Sequence, residues 1–461
     1  MEFCKRQVAP IGYPAVREVT IQLPRNLLHT VLREQQFAAC PVATTRVGEG
    51  SALRIRLNSP QFVEARSSPL SRLALGLFCL FVFAIPWENA LFFPGVGTVS
   101  RLLGLVAFPV GVLAILESGR LRRSSLPLAL MGLFVVWGSL SYWWTVDAES
   151  TTIVINIWVQ NLGMVWLIWE LADRREKQLM LMRAYVFGTL ISACDTLFSF
   201  LRGKEVVYQR YAGSGFDPND LGLLLALSLP ISFYLATMQR PKRVVWIYRL
   251  QQIVAMFAIG LTSSRAALIA TIVALTYLPL ASVKIRFREK CAFLLVAVIS
   301  MSCMLAFLPE TSWKRWGGID TELEQGTWSS RKLVWSIGWE LFHEHPVLGV
   351  GAGSFRIAAR SNYAHNTFLD ILVEEGLLGF GLFLLLLLSL VLPALRLPVL
   401  QRNLWLVALA TWATGVFTLS WENQKTTWLL FGLLTAWLAT RTLSPRGDDS
   451  RAAFAARMLS I

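Results

Sequence analysis

Residues 376–395 read GLLGFGLFLLLLLSLVLPAL and contain no charged side chain. At about 1.5 Å per residue, a helix of this length crosses the ~30 Å hydrocarbon core of a bilayer. An apolar run this long exceeds what a helix or strand buried in a soluble core usually shows. The stretch therefore predicts a transmembrane helix and places the chain among integral membrane proteins.

The rest of the chain repeats this pattern. Hydrophobic residues make up 55% of the sequence and charged residues only 16%, whereas a soluble domain is about one quarter charged. We therefore predict an all-α integral membrane protein with about twelve transmembrane helices. The predicted spans are 73–87, 99–116, 126–144, 152–171, 180–200, 220–237, 246–262, 266–282, 292–308, 376–395, 404–420 and 427–440.

The net charge is +14, and the basic residues follow a pattern that indicates membrane topology. Basic clusters lie at 120–123, 174–177, 240–243 and 284–290, after every second predicted span. Such periodic placement follows the positive-inside rule and is not typical of a nucleic-acid-binding surface. Both termini are then predicted to lie in the cytoplasm, and the odd-numbered loops face outward.

Two regions flank the apolar runs, one at each end of the sequence. Residues 1–70 are basic, lack the apolar region of a signal peptide and alternate weakly at 19–23 and 53–57, so they are predicted to form a cytoplasmic extension of unknown function with a weak strand signal. The membrane domain is predicted at 71–440, followed by a cytoplasmic tail at 441–461.

One outward loop, residues 309–364, is far longer than a turn requires, which is typical of a functional connection. Within it, Leu333, Val334, Ile337, Leu341 and Phe342 recur at helical spacing. The loop is therefore predicted to be helical over 331–342.

Two arginines lie on the side where the positive-inside rule disfavours them. Arg210 precedes the sixth predicted span, and Arg265 lies at the outward turn between the seventh and eighth. An arginine in such apolar sequence needs an anionic partner, and its planar fork suits a phosphate. A structural ion pair or snorkelling to the interface would explain the same pattern.

His365 lies where the long outward loop re-enters the membrane. A neutral imidazole can accept a proton from a hydroxyl, so His365 is a candidate general base, although a helix-capping or interfacial histidine is the alternative. Asn366, Asp370 and Glu374 follow at four-residue spacing, on one face of the expected helix.

Neither a metal nor a nucleotide cofactor is predicted. His343 and His345 are two positions apart and point in different directions on a helix, whereas a helical zinc pair is spaced i, i+4. The glycines at 349, 351 and 353 are not part of a strand–helix unit, so they predict a turn and not a dinucleotide fingerprint.

Taken together, four stretches resemble the O-antigen ligase and polymerase family of bacterial membrane glycosyltransferases. The resemblance covers about residues 73 to 440 and leaves out the N-terminal extension. The stretches are 210–219, 263–266, 331–351 and 365–376.

The resemblance implies a donor, a face of the membrane and roles for residues. Members of this family use undecaprenyl-diphosphate-linked glycan at the periplasmic face of the inner membrane, without a metal. Arg210 and Arg265 then look like the ligands of the donor pyrophosphate, and His365 like the catalytic base of an inverting transfer. Supporting roles fall to Asn219, Ser264, Asn366, Asp370 and Glu374.

The motifs do not identify the acceptor of the glycan. A ligase transfers glycan to lipid A–core, whereas a polymerase adds it to a growing glycan, and both share these motifs. A transporter or flippase for lipid-linked sugars is the alternative of a different class. Transporters usually contain internal repeats with broken helices at the midplane, and the sequence shows no convincing halves.

The loop charges predict the outcome of a topology experiment. Alkaline phosphatase fused near Gly318 should be active, because that loop is predicted to face outward, and a fusion near Arg286 should be inactive. Enzyme activity in cells expressing each fusion is the measurement. The reverse result would place Arg210, Arg265 and His365 on the cytoplasmic side.

Overall fold

The fold is that of a computed structural model. It describes two units, Met1–Ser67 and Ser68–Ile461. The described residues are 19–21, 46–47, 53–55, 68–206, 210–213, 215–238, 242–281, 287–307, 309–317, 331–361 and 363–442. Most of the predicted tail at 441–461 and residues 318–330 of the predicted outward loop lie outside them.

The N-terminal unit contains a small antiparallel sheet. Its strands are β1 (Val19–Ile21), β2 (Arg46–Val47) and β3 (Leu53–Ile55), in the order β1-β3-β2. The alternation at 19–23 and 53–57 thus predicted two of the strands correctly. Two residues of β2 are too few to produce a periodic signal.

The second unit is built of helices, with a two-stranded ribbon, β4 (Phe92–Phe93) and β5 (Gly97–Thr98), after the first. The helices are α1 (Pro69–Ala84), α2 (Val99–Ser118), α3 (Leu126–Leu140), α4 (Ala148–Leu171), α5 (Arg175–Leu201), α6 (Pro218–Met238), α7 (Lys242–Thr262), α8 (Arg265–Leu275), α9 (Tyr277–Ala281), α10 (Phe287–Phe307), α11 (Glu310–Gly317), α12 (Arg331–Glu344), α13 (Phe355–Ala358), α14 (Thr367–Ala394), α15 (Val399–Val416) and α16 (Lys425–Thr442).

Within the described residues, eight helices are long and apolar enough to cross a membrane. They are α1 with the 3₁₀ turn that follows it, α2 to α7, and α14. The chain is therefore a multi-pass, all-α membrane protein. The predicted spans 292–308, 404–420 and 427–440 also coincide with helices, but the total of about twelve stays a prediction.

The predicted span at 266–282 is interrupted. Helix α8 ends at Leu275, and the short α9 follows. Pro279 accounts for the break, because a proline lacks the N–H that would bond the carbonyl four residues earlier and its ring collides with that carbonyl. Here that carbonyl belongs to Leu275.

Helix α14 contains a kink at Gly376, whose φ of 63° and ψ of −170° are not helical. The kink frees two carbonyls from the helix. Glu374 O accepts from Gly351 N at 2.9 Å, and Val373 O accepts from Val350 N at 3.0 Å. Backbone hydrogen bonds thus hold the loop that contains Gly349, Gly351 and Gly353, the glycine-rich loop, against the kink.

The predicted loop helix is confirmed as α12. Its buried side packs through Val334 and Gly338 against α13 and the start of α14, and Trp335 Nε1 donates to Ala364 O at 2.8 Å. Leu333, one of the residues at helical spacing, is 65% exposed and lies outside this buried side. Helix α12 therefore lies directly beside His365.

The close contact at the kink predicts a sharp difference between two glycines of α14. A Cβ at Gly376 would lie 2.3 Å from Val347 O, and φ is +63°; a Cβ at Gly381 would meet nothing within 4 Å. Gly376→Ala should therefore lower stability by at least about 2 kcal/mol, seen as a lower midpoint of thermal unfolding in detergent. Gly381→Ala should leave the midpoint unchanged or raise it, since alanine favours helix. Equal midpoints for the two variants would contradict the kink.

Candidate active site

Arg210 lies against the turn that carries Arg265. Its Nε donates to Thr262 O at 2.8 Å, and its Nη2 donates to Asn219 Oδ1 at 2.8 Å. Thr262 is the last residue of α7, and Asn219 belongs to the first turn of α6. The structure therefore brings the Arg210 segment and the turn before Arg265 together.

The turn before Arg265 has a defined shape. Ser263 has a φ of 50° and is buried, and its hydroxyl lies 2.6 Å from the hydroxyl of Ser312. Ser264 is the N-cap of α8 and accepts a hydrogen bond from Ala267 N at 3.3 Å. Arg265 thus begins a helix, where the backbone dipole adds to the attraction for an anion.

Ser264 and Asn219 have local roles that the sequence did not specify. Ser264 uses its hydroxyl oxygen to cap α8. Asn219 uses its amide oxygen to hold the Arg210 guanidinium. Asn219 therefore positions Arg210 directly, and Ser264 positions Arg265 through the helix that this arginine begins.

His365 lies between the glycine-rich loop and α14. Its φ is +50°, a left-handed conformation that is uncommon for a non-glycine residue but more often adopted by histidine than by bulky residues. The following Asn366 is the N-cap of α14, accepting from Phe368 N and Leu369 N at 3.1 and 3.2 Å. The His365 side chain is partly buried and still reachable from solvent.

Asp370 and Glu374 lie on one face of α14, as predicted, but they hold protein groups. Glu374 Oε2 accepts from Gly353 N at 2.8 Å, and Glu374 Oε1 accepts from Phe355 N at 3.0 Å. Asp370 Oδ2 accepts from the Ser420 hydroxyl at 2.5 Å. Both carboxyl groups are buried, so their geometry supports a structural role beneath His365.

The segment between α15 and α16 completes the site, and the sequence offered it only as a loop poor in lysine and arginine. Trp421 N donates to Thr367 Oγ1 at 2.7 Å, and Trp421 Nε1 donates to Asp220 Oδ1 at 2.8 Å. Asp220 adjoins Asn219, and Thr367 lies two residues after His365. Trp421 thus links the arginine end of the site to the histidine end.

Two charged groups shift the pKa of His365 in opposite directions. Partial burial lowers the pKa of His365 most, the Arg331 guanidinium lowers it further, and the Asp217 carboxylate raises it. Arg331 is the first residue of α12, and Asp217 directly precedes α6. The neutral, proton-accepting form of His365 is therefore favoured near pH 7.

A buried carboxyl group lies behind the site. Burial, with Asp370 and Glu374 as neighbouring carboxyl groups, raises the pKa of Glu422 well above its usual range. Its Oε1 accepts from Asn423 Nδ2 at 2.9 Å. Glu422 therefore favours the protonated form, which limits repulsion among the acidic side chains.

The remaining histidines of the loop stand apart from this arrangement. His343 and His345 are exposed, and His343 Nδ1 lies 2.6 Å from Trp339 O in its own helix. Within the described residues, no group of three His, Cys, Asp or Glu side chains has the arrangement of a metal site.

The match to known proteins falls on this region. Residues 252–384 match the family model described as O-Antigen ligase, which confirms the resemblance drawn from the motifs. The match includes Arg265 and His365 and begins after Arg210. No curated protein matches the chain. The family implies a glycosyltransferase-like membrane enzyme of polysaccharide biosynthesis with lipid-linked glycan substrates.

The charges around His365 predict two opposite shifts in its titration. Removing the positive charge in Arg331→Gln should raise the pKa of His365, and removing the negative charge in Asp217→Asn should lower it. The rate of diethyl pyrocarbonate modification against pH is the measurement, in a background where the other three histidines are glutamine. Lys332→Gln removes a neighbouring exposed cation and should leave the midpoint in place. Shifts of the same sign in Arg331→Gln and Asp217→Asn would contradict this electrostatic arrangement.

Proposed function

Because residues 252–384 belong to the O-antigen ligase family, we propose that the chain transfers a glycan from undecaprenyl diphosphate to an acceptor hydroxyl. The reaction takes place at the periplasmic face of a bacterial inner membrane, in the synthesis of lipopolysaccharide or a surface polysaccharide. The observation that carries the proposal is the docking of Arg210 on the Thr262 carbonyl, three residues before Arg265.

The arginines suit the leaving group of this reaction. As the anomeric carbon separates from the lipid diphosphate, negative charge grows on the diphosphate oxygens. Guanidinium groups held in place before the reaction stabilise that charge without reorganising. Asn219 and the Thr262 carbonyl fix Arg210, and the Ser264 cap fixes the helix that Arg265 begins.

His365 suits the other half of the reaction. Its nitrogen takes the proton of the acceptor hydroxyl, whose oxygen then forms the bond to the anomeric carbon. The electron pair of the broken bond leaves with the diphosphate, so a single displacement inverts the anomeric centre. The positive φ of His365 fits this role, since strained backbone is concentrated at functional sites.

Helix α12 suits the role of a cover. It packs beside His365 through the Trp335–Ala364 hydrogen bond, and its first residue, Arg331, acts on the imidazole. A cover of this kind excludes water, which would compete with the acceptor hydroxyl.

A transfer assay separates the proposed roles. The full chain in nanodiscs is given undecaprenyl-diphosphate-linked glycan and lipid A–core, and glycan transfer and donor binding are measured. His365→Ala should lower transfer by about 10²–10⁴-fold and leave donor binding intact. Arg265→Lys should weaken donor binding, because lysine lacks the fork that engages two phosphate oxygens.

Matched controls use residues outside the site. His343→Ala and Arg202→Lys change an exposed histidine and an exposed arginine and should retain transfer and donor binding. A chelator should have no effect. Full transfer by His365→Ala, or activity lost with a chelator and restored by a divalent metal, would overturn the mechanism.

A further inference from the structure

A second, separate groove runs between α1, α2 and α4. Its volume is about 370 Å³, at the lower end of ligand pockets. Leu105 and Val159 on its walls are 61% and 53% exposed, so the groove is open along one side. Its apolar walls include Phe78, Phe81, Leu105, Phe108, Val159 and Met164.

Four polar side chains also line this apolar groove: Arg101, Gln160, Asn161 and Lys425. Asn161 Nδ2 donates to Asn423 O at 3.1 Å. Lys425 Nζ forms an ion pair with Glu88 Oε2 at 2.6 Å. Arg101 and Gln160 are exposed and have no side-chain hydrogen bond or ion pair with any residue that the structure describes. A guanidinium and an amide beside apolar walls can bond the polar head of a lipid whose chain lies in the groove.

Helices α2 and α4 run in the same direction along the groove. A Cβ at Gly163 would meet Phe108 at 3.0 Å, and a Cβ at Gly111, one turn further along α2, would meet Leu167 at 2.8 Å. The two pairs advance together along both helices. Positions on α2 can therefore be related to positions on α4.

Arg101, Gln160 and Lys425 lie at a similar depth along the groove. Arg101 lies about 10 Å before Phe108 along α2, and Gln160 about 5 Å before Gly163 along α4. They are thus separated by about 5 Å along the helix direction, one helical turn. Lys425 belongs to the same region, since the preceding Asn423 contacts α4 at Trp158 and Asn161.

The part of the groove that carries these polar side chains adjoins the candidate active site. Trp158 Nε1 donates to Asn423 Oδ1 at 2.7 Å, and Asn423 lies two residues after Trp421, which bonds Thr367. The Arg265 helix, by contrast, packs chiefly on α6 and α15. The groove and the arginine pair therefore approach His365 from different helices.

We propose that this groove is the acceptor-lipid site, which holds an acyl chain of a phosphorylated acyl lipid. The lipid phosphate binds Arg101, and an ester or amide group one turn deeper hydrogen-bonds Gln160. This inference rests on the proposed function, because a transfer between two lipids needs a second lipid site beside the base.

Gln160 argues against a polyprenyl chain in the groove. Below its diphosphate, a polyprenyl lipid is pure hydrocarbon and offers the amide nothing to bond. An acylated lipid carries ester or amide groups just below its phosphate, at about the spacing of Arg101 and Gln160. An acyl-lipid acceptor would make the enzyme a ligase and not a polymerase.

Photocrosslinking tests the proposal without depending on transfer. The full chain in phosphatidylcholine nanodiscs is given one of three lipids carrying a diazirine in the hydrocarbon chain: lipid A, phosphatidylglycerol or undecaprenyl diphosphate. Labelled peptides are mapped by mass spectrometry. Lipid A should label the α2 and α4 walls, at concentrations where the other two do not.

Two pairs of variants sharpen the test. Val159→Trp fills the groove and Arg101→Glu reverses the charge at its mouth; each should lower lipid A labelling about tenfold or more. Their controls are Ile153→Trp, on the same helix outside the groove, and Lys204→Glu, an exposed cation of another loop. Both controls should label like the wild type.

Each outcome decides a separate point. Equal labelling by phosphatidylglycerol, wall labelling by undecaprenyl diphosphate, or labelling unaffected by Val159→Trp would overturn the acceptor site. Glycan transfer to lipid A–core without wall labelling would overturn this site and leave the proposed function standing. Wall labelling by lipid A without any transfer would support the lipid site and count against the proposed function.

Discussion

The candidate site depends on one contact, between the kink of α14 at Gly376 and the glycine-rich loop. Because Gly376 leaves the helical conformation, the carbonyls of Val373 and Glu374 are free to bond the loop. The Glu374 carboxylate holds the same loop through Gly353 N and Phe355 N. The buried loop amides would otherwise lack partners, so a single acidic side chain fixes the segment on which α12, α13 and His365 are built.

Hydrogen bonds from neighbouring segments hold the residues of the candidate site in place. Arg210 is fixed by Asn219 and a backbone carbonyl, Asp370 by Ser420, and Trp421 joins the two ends of the site. Such support matters for an electrostatic catalyst, because its groups must already point at the developing charge when the reaction begins. The acidic face of α14 therefore serves the geometry of the site, and in the proposed reaction the arginines and the histidine face the substrates.

The proposed transfer between two lipids imposes a further constraint. Each brings a hydrocarbon chain that stays in the bilayer and a polar head that must reach the same base. Arg210 precedes α6 and Arg265 begins α8, whereas the groove lies on α1, α2 and α4; both regions adjoin one loop, residues 417–424. In the proposed reaction, this arrangement would let both heads meet at His365 while the chains remain apart.

The sequence by itself determined the class of fold and singled out the candidate site residues. Uninterrupted apolar runs can be stable only as membrane helices, and Arg210, Arg265 and His365 are recognisable because each is out of place in such sequence. Tertiary structure alone decided the break at Leu275, the exposed face of Leu333, and which groups Ser264, Asp370 and Glu374 hold. It also decided the parts taken by Trp421, Arg331 and Gln160. Periodicity reports how a residue relates to its own helix, whereas these roles depend on hydrogen bonds and charges between segments that are distant in sequence.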